Sequence, residues 1–270
     1  MLTYESLLEQ AKLRDIPANK IRGILREYLQ ILILKELYRE KNGRNLCFTG
    51  GTYLRLVHNI RRFSEDLDFN TANLTRKEFE TVIHNVQVGL NRFNAKVNLD
   101  FHHWDNMYVA YLTFSEVEKD YTAISRYSNK KGIVIKIETN NPIWEIKTEI
   151  LLISGFGEMY PVVCTYIGAL FADKIDAFIQ KNRARHLYDI IFMLSQNHPI
   201  DQNVINAIGL GSDPLSLIAK KVKNFTTTQL KHLAEELRPF LFDENETELL
   251  INAHTIIPQL ISRYHPKNLV

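Results

Sequence analysis

Phe48-Thr49-Gly50-Gly51-Thr52-Tyr53-Leu54-Arg55-Leu56, followed shortly by Arg62-Phe63-Ser64-Glu65-Asp66-Leu67-Asp68-Phe69, is the stretch on which the reading of this chain turns. Leu46-Cys47-Phe48 is a short apolar run that reads as a buried strand, and two glycines follow it before a helical pattern from Thr52 to Ile60. Glycine at such a point lets backbone N–H groups turn toward an anion with no Cβ in the way, and the helix N-terminus adds favourable partial charge. The second half sets a D-x-D on a strand over Leu67–Asn70. The two-residue period puts Asp66 and Asp68 on one face, with Leu67 and Phe69 on the other. Neighbouring carboxylates repel unless a cation sits between them. Hard oxygen ligands on a rigid strand suit Mg²⁺, which commonly takes one or two carboxylates plus substrate phosphates. A lone Gly-Gly is usually a turn and a lone D-x-D a solvated strand face. In this order, with Ser64 just ahead of the acids, they point together to metal-assisted phosphate chemistry.

Working outward, the chain reads as helical from its start to about Lys41, with Ile21, Ile24, Leu25, Tyr28, Leu29 and Leu32 at helical spacing and Asn42-Gly43 as the break. Thr75 to about Phe93 is a further helix, opened by a capping box of Thr75 and Glu78. Strands are expected at Val97–Phe101, Met107–Phe114, Ile133–Glu138 and Thr148–Ile153, with a turn at Asn129-Lys130-Lys131-Gly132. After Pro161 the pattern turns helical to the end: Tyr166–Gln180, Ala184–Gln196, Pro214–Lys223, Thr228–Leu237 and Glu244–Arg263, the last kinked or interrupted at Pro258. The expected fold class is α+β, a mixed β-sheet flanked by helices with a mainly helical C-terminal half. The expected division is residues 1–160 and 161–270.

The 270 residues suffice for a substantial core without staples. Thirty-three Lys and Arg against 31 Asp and Glu give a net charge of +2, too balanced for a nucleic-acid coat protein, though a local basic groove is compatible with it. Arg55, Arg61, Arg62, Lys130, Lys131, Lys220, Lys221 and Lys223 would form one if they converged. Cys47 and Cys164 lie far apart, which argues against a disulfide scaffold or zinc site and suits a reducing compartment. No signal-peptide pattern or membrane-length apolar run is present, so a cytoplasmic protein without a membrane partner is expected. His102-His103 has no convincing third metal ligand, and Gly155-Phe156-Gly157 lacks the third glycine of a dinucleotide fingerprint. Trp104, Tyr108, Tyr111 and Tyr127 read equally as core, edge or base-stacking residues.

The order G-G-T-x-L-R, then R-x-S-E-D-L-D-F, resembles the nucleotidyltransferase family of abortive-infection AbiE toxins (the AbiEii/AbiGii type), within the DNA polymerase β-like superfamily. Fourteen residues separate Gly51 from Asp66, longer than in compact superfamily members and in keeping with the AbiE variant. The resemblance implies a third carboxylate on a later strand. Glu138 in Val134-Ile135-Lys136-Ile137-Glu138 is assigned to it, with Glu149 as rival and a surface ion-pair strand as the bland alternative. By the same resemblance Asp66, Asp68 and Glu138 would bind two Mg²⁺ ions, Glu138 would also assist the nucleophile, and Gly50, Gly51, Thr52, Ser64 and Lys136 would hold the nucleotide's phosphates.

The helical half carries Ala172-Asp173-Lys174-Ile175-Asp176, then Arg183-Ala184-Arg185-His186-Leu187-Tyr188-Asp189, similar to a later motif of the same toxins. Carried over by position, Lys174 is the phosphate lysine and Asp189 the later acid, both lining the cleft. Lys174 reads alternatively as a lysine whose stem covers an apolar stripe, and Asp189 as a clamp for Arg183 or Arg185. His186 departs from the family pattern, standing where an acid is expected. The resemblance implies a nucleotidyltransferase toxin that moves a nucleoside monophosphate from an NTP to an acceptor hydroxyl, with a tRNA 3′ end as acceptor and a cognate antitoxin as partner. The alternatives are a protein or small-molecule acceptor, or a non-catalytic nucleotide-binding module.

Overall fold

The computed structural model describes residues 1–104, 107–121 and 132–266. In chain order the elements are helices α1 (Tyr4–Lys12) and α2 (Ile21–Arg39), strand β1 (Cys47–Thr49), helix α3 (Gly50–Leu56), strand β2 (Leu67–Asn70) and helix α4 (Arg76–Asn91). Strands β3 (Asn98–Trp104) and β4 (Met107–Phe114), the short helix α5 (Val117–Asp120), and strands β5 (Ile133–Asn140), β6 (Thr148–Gly155) and β7 (Glu158–Thr165) follow. Seven helices close the chain: α6 (Ile167–Gln180), α7 (Ala184–Ser195), α8 (Gln202–Ala207), α9 (Pro214–Lys223), α10 (Thr227–Leu237), α11 (Glu248–Ile251) and α12 (Ala253–Ser262). The predicted turn at Asn129-Lys130-Lys131 and the ring of Tyr127 lie outside the described residues.

The chain folds as two compact units. The first takes Met1–Asn59, Phe63–Pro142 and Thr148–Cys164, and the second takes Ile60–Arg62, Ile143–Lys147 and Thr165–Val270. The first unit is built on a mixed seven-stranded sheet in the order β3-β4-β5-β2-β1-β7-β6. β2 runs antiparallel to β1 and parallel to β5, and β1 runs parallel to β7. Leu67, Phe69, Ile133, Ile135, Ile137, Leu112 and Phe114 are all buried. On this face α2 packs against β5 and α4 against β4. α2 is buried nearly all round, which suits a helix at the centre of a core. Its Glu27 is accommodated by two arginines: Arg14 Nε at 2.8 Å and Arg55 Nε at 2.9 Å. A charge enclosed on this scale is tolerable only when paired and hydrogen-bonded. The predicted capping box at Thr75 is present, with Glu78 Oε2 accepting from the Thr75 backbone N–H at 2.9 Å.

Two elements depart from the sequence reading. The chain was expected to turn helical after Pro161, but that residue lies within strand β7. Proline interrupts a ladder only where its missing N–H is needed. Here the pairing of β7 with β1 falls farther along, at Phe48 opposite Cys164. Phe156 and Gly157, with φ of 52° and 79°, form the two-residue turn that joins β6 to β7, so Gly155-Phe156-Gly157 is hairpin chemistry. The last helical stretch is broken at Asn252, between α11 and α12, while α12 continues through Pro258.

Candidate active site

The glycine loop and the D-x-D strand meet where β1 ends. Thr49 stands opposite Asp68 in the antiparallel pair of β1 and β2, so the residue after Thr49 is set against the Asp68 side chain. That residue is Gly50, with φ of +80°. A Cβ built on it would lie 2.2 Å from Asp68 Oδ2 and 2.9 Å from Asp68 Cβ and Cγ. Both the backbone conformation and the space therefore require glycine. Thr52, one turn into α3, is fully buried and its hydroxyl donates to the Asp66 backbone carbonyl. Its side chain thus fastens the helix to the D-x-D segment. Ser64 is buried, and Gln30 Nε2 of α2 donates to its carbonyl at 3.0 Å and to that of Glu65 at 3.1 Å.

Strand order separates the two candidates for a third acid. Asp68 stands directly opposite Glu138 in the parallel pair of β2 and β5, one strand away. Glu149 lies on β6, three strands from β2 on the other side. Alternation on β5 puts Lys136 on the same face as Glu138. Lys136 Nζ lies 2.6 Å from Glu138 Oε2 and 3.6 Å from Asp66 Oδ2. Partial burial alone would lower the Lys136 pKa. The hydrogen bond that Lys136 donates to Glu138 and the charges of Asp66, Glu138 and Asp68 outweigh it and hold the ammonium above its usual range.

Among the described residues no three His, Cys, Asp or Glu side chains are gathered into a ready metal cage. The donor set nevertheless fits a hard divalent cation: three carboxylates share one partly exposed face, and the lysine ammonium already stands between two of them as a positive charge.

In the second unit, Asp189 of α7 is wholly buried, and Arg62 grips it through Nε to Oδ1 at 2.7 Å and Nη2 to Oδ2 at 2.8 Å. Lys174 Nζ of α6 adds a contact at 3.0 Å to Oδ2. Burial by itself would raise the Asp189 pKa, but the two cations outweigh it and hold the carboxyl below the usual range. Lys174 is thus a buried, paired lysine, and Asp189 clamps Arg62, where the alternative reading of the sequence offered Arg183 or Arg185. The Arg62 segment is strapped to its unit by the Arg62–Leu241 bridge and by the Phe242 N–H donating to the Arg61 carbonyl at 3.0 Å. His186 lies on the first turn of α7, and neither ring nitrogen has a hydrogen-bond partner. Burial, and then the nearby Lys174 charge, push its pKa down to about 4.

Of the residues that would form a basic groove if they converged, Lys130 and Lys131 lie outside the described residues. Arg55 and Arg62 are buried in ion pairs, Arg61 pairs with Glu246 at 3.1 Å, and Lys221 donates to the Ile179 carbonyl at 3.0 Å. His102 and His103 point to opposite faces of β3, toward Asp100 and Glu80 respectively, so they form no metal pair.

Three outcomes are expected from this geometry. Gly50→Ala should lower stability by about 1–2 kcal/mol from the left-handed backbone alone, and displace Asp68 besides; thermal melting reads the first effect and nucleotide binding the second. Lys136→Met should melt about 2–4 °C lower than the parent in metal-free buffer, because one positive charge is withdrawn from among the acids, and should recover more than the parent when Mg²⁺ is added. An unchanged melting point would mean the lysine does not hold the acids together. Because the folded His186 pKa lies below the ordinary value of 6.5, the unfolded chain takes up the proton first. Its contribution should be complete above about pH 6.5 and fall away toward pH 4. His186→Gln should flatten that part of a denaturation-against-pH curve.

The sequence matches the family described as "Nucleotidyl transferase AbiEii toxin, Type IV TA system" over residues 32–249. No relative among curated proteins is detected by sequence. Among solved structures, JHP933 of Helicobacter pylori aligns with a TM-score of 0.53 at 18% identity, covering 90% of this chain and 93% of its own. MenT4, a nucleotidyltransferase toxin of Mycobacterium tuberculosis, aligns with a TM-score of 0.56 at 16% identity, covering 96% of this chain and 90% of its own. At such identities the structures speak for the fold, and the family match speaks for the chemistry. With Gly50 set against Asp68, Asp68 in register with Glu138, and the family match spanning residues 32–249, the chain belongs to the AbiEii nucleotidyltransferase toxin family, whose members act on an NTP and are countered by an antitoxin.

Proposed function

We propose that this nucleotidyltransferase binds an NTP together with Mg²⁺, transfers the nucleoside monophosphate to a hydroxyl at the 3′ end of a tRNA, and releases pyrophosphate. The observation that carries this reading is the register of β2 and β5, which sets Asp68 opposite Glu138, with Asp66 and Lys136 on the same face and Gly50 against Asp68. The backbone of Gly50 and Gly51, with Ser64, would hold the phosphates. Asp66, Asp68 and Glu138 would hold Mg²⁺, which when bound neutralises phosphate charge and makes a coordinated hydroxyl more acidic.

Each protein group then has a defined task. Lys136, released from its carboxylates as their charge is taken up, turns its ammonium to a phosphate oxygen. Glu138 draws the proton from the attacking hydroxyl as that oxygen bonds to the α-phosphorus. The bond from that phosphorus to the bridging oxygen breaks, and pyrophosphate leaves with the electron pair. In the helical unit, Asp189 holds Lys174 and Arg62 together in one buried ion cluster, which steadies that unit. NTPs and tRNA place the reaction in the cytoplasm, and among the described residues no helix is long and apolar enough to cross a membrane. Transfer to tRNA would arrest growth until the antitoxin restrains it.

Incubation with each labelled NTP, Mg²⁺ and total tRNA should label RNA. Asp66→Ala and Asp68→Ala should lower the rate at least a hundredfold, and chelation of the metal should abolish it. Label that appears only on protein or on a small molecule would overturn the RNA assignment while leaving nucleotidyl transfer intact. Undiminished labelling by Asp68→Ala would overturn the site itself.

A further inference from the structure

The face of the sheet that carries the acids does not end at β5. Glu138 stands opposite Val109 of β4, and Val109 opposite His102 of β3. Lys136 likewise stands opposite Tyr111, and Tyr111 opposite Asp100. Trp104, two residues beyond His102, lies on the same face. These rings form a row. Tyr111 meets the His102 ring edge-on, with centroids 5.5 Å apart, and His102 lies nearly parallel to Trp104, with centroids 6.4 Å apart. His102 Nε2 is 3.0 Å from Asp100 Oδ2, which fixes the ring. Trp104 is 55% exposed, and the His102 side chain is 50% exposed.

Alternation sorts the other rings of the hairpin to the opposite face. There Phe101, His103 and Tyr108 surround Phe79 of α4. The core therefore has its aromatic set already, and the outward row adds nothing to it. A half-exposed indole that continues into two further rings makes a contiguous exposed patch, of the kind that marks an interaction site.

We infer that Tyr111, His102 and Trp104 form a stacking track for unpaired nucleobases, and that it holds the single-stranded end of a polynucleotide acceptor. The inference rests on the nucleotidyl-transfer reading above. Aromatic faces in a row bind bases with little regard to sequence. The one acid among them, Asp100, disfavours a phosphate, so a strand laid here would put its bases down and turn its backbone outward. The direction also fits. In an in-line displacement the attacking oxygen and the leaving group lie on opposite sides of the phosphorus. The glycine cradle for the leaving pyrophosphate is at β1, so the acceptor approaches from the side of β5, β4 and β3. β3 is four strands from β1, about 19 Å at roughly 4.8 Å per strand. The same base-stacking chemistry could be met by the base of the NTP, and the experiment separates the two sources.

The probe is a fluorescently labelled 12-nucleotide single-stranded RNA, titrated into the full-length protein. Anisotropy reads binding and tryptophan emission reads stacking, since the second tryptophan, Trp144, is buried. The parent protein should bind and be quenched. Trp104→Ala should weaken binding about tenfold and lose most of the quenching, with unchanged melting and unchanged NTP affinity by calorimetry. Trp104→Phe should restore most of the binding, and His102→Ala with Tyr111→Ala should weaken it independently. The track is overturned if Trp104→Ala binds the 12-mer as tightly as the parent. Loss of NTP affinity in Trp104→Ala, with RNA binding intact, would assign the rings to the NTP base and likewise overturn it. A parent protein that binds NTP and modifies a protein acceptor, yet ignores the 12-mer, would overturn both the track and the RNA acceptor. Asp68→Ala should bind the 12-mer as tightly as the parent while losing nucleotidyl transfer, which tests the track apart from the transfer reading.

Discussion

Asp68 can occupy its position only because nothing stands on the α-carbon of Gly50, and the rest of the site follows from that close approach. The left-handed turn at Gly50 ends β1 and starts α3 in a single step. Thr52 then reaches the Asp66 carbonyl from the first turn of that helix, tying loop and acid strand into one body. With β2 fixed in this way, its parallel partner β5 brings Glu138 and Lys136 alongside. A turn residue with a side chain would push Asp68 away from the face that it shares with them. The geometry of the site is thus set by one missing methyl group and by strand register.

Charge is handled differently in the two units. The acids of the sheet are partly exposed and share the ammonium of Lys136, which is a loose and exchangeable arrangement. Asp189 is sealed, with both oxygens gripped by Arg62 and a further contact from Lys174. A planar guanidinium suits that second task because its paired donors match a carboxylate, whereas a lysine amine on a flexible stem suits the first. Glu27 repeats the sealed pattern with Arg14 and Arg55. Buried arginines here serve architecture.

Much of this was legible in the sequence because the signals were local. The glycine pair, the alternation that puts Asp66 with Asp68, the capping box at Thr75 and the strand Met107–Phe114 each depend on neighbours within a few residues. What was hidden depends on partners far along the chain. Arg62 reads as one more surface cation until Asp189, 127 positions away, encloses it. The bond from the Thr52 hydroxyl to the Asp66 carbonyl likewise joins residues 14 positions apart. Strand β7 was obscured by Pro161, whose missing donor matters only in relation to the register with β1. The choice of Glu138 over Glu149 likewise needed the strand order, which no periodicity reveals. The outward row of Tyr111, His102 and Trp104 needed it too, since two of those rings come from a different strand than the third.

The short peptide Ile60–Arg62 lies between a helix and a strand of the sheet unit, yet it is counted with the helices. The gene is therefore not modular in the way that its two compact bodies suggest. Recombination that exchanged everything after residue 160 with a distant relative would import a new Asp189 and leave the old Arg62 behind. The newcomer would have to face an arginine it had not evolved with, in a place where an unmatched charge is strongly destabilising. Inheritance of the two halves is thus coupled by a single guanidinium, and drift in one constrains drift in the other.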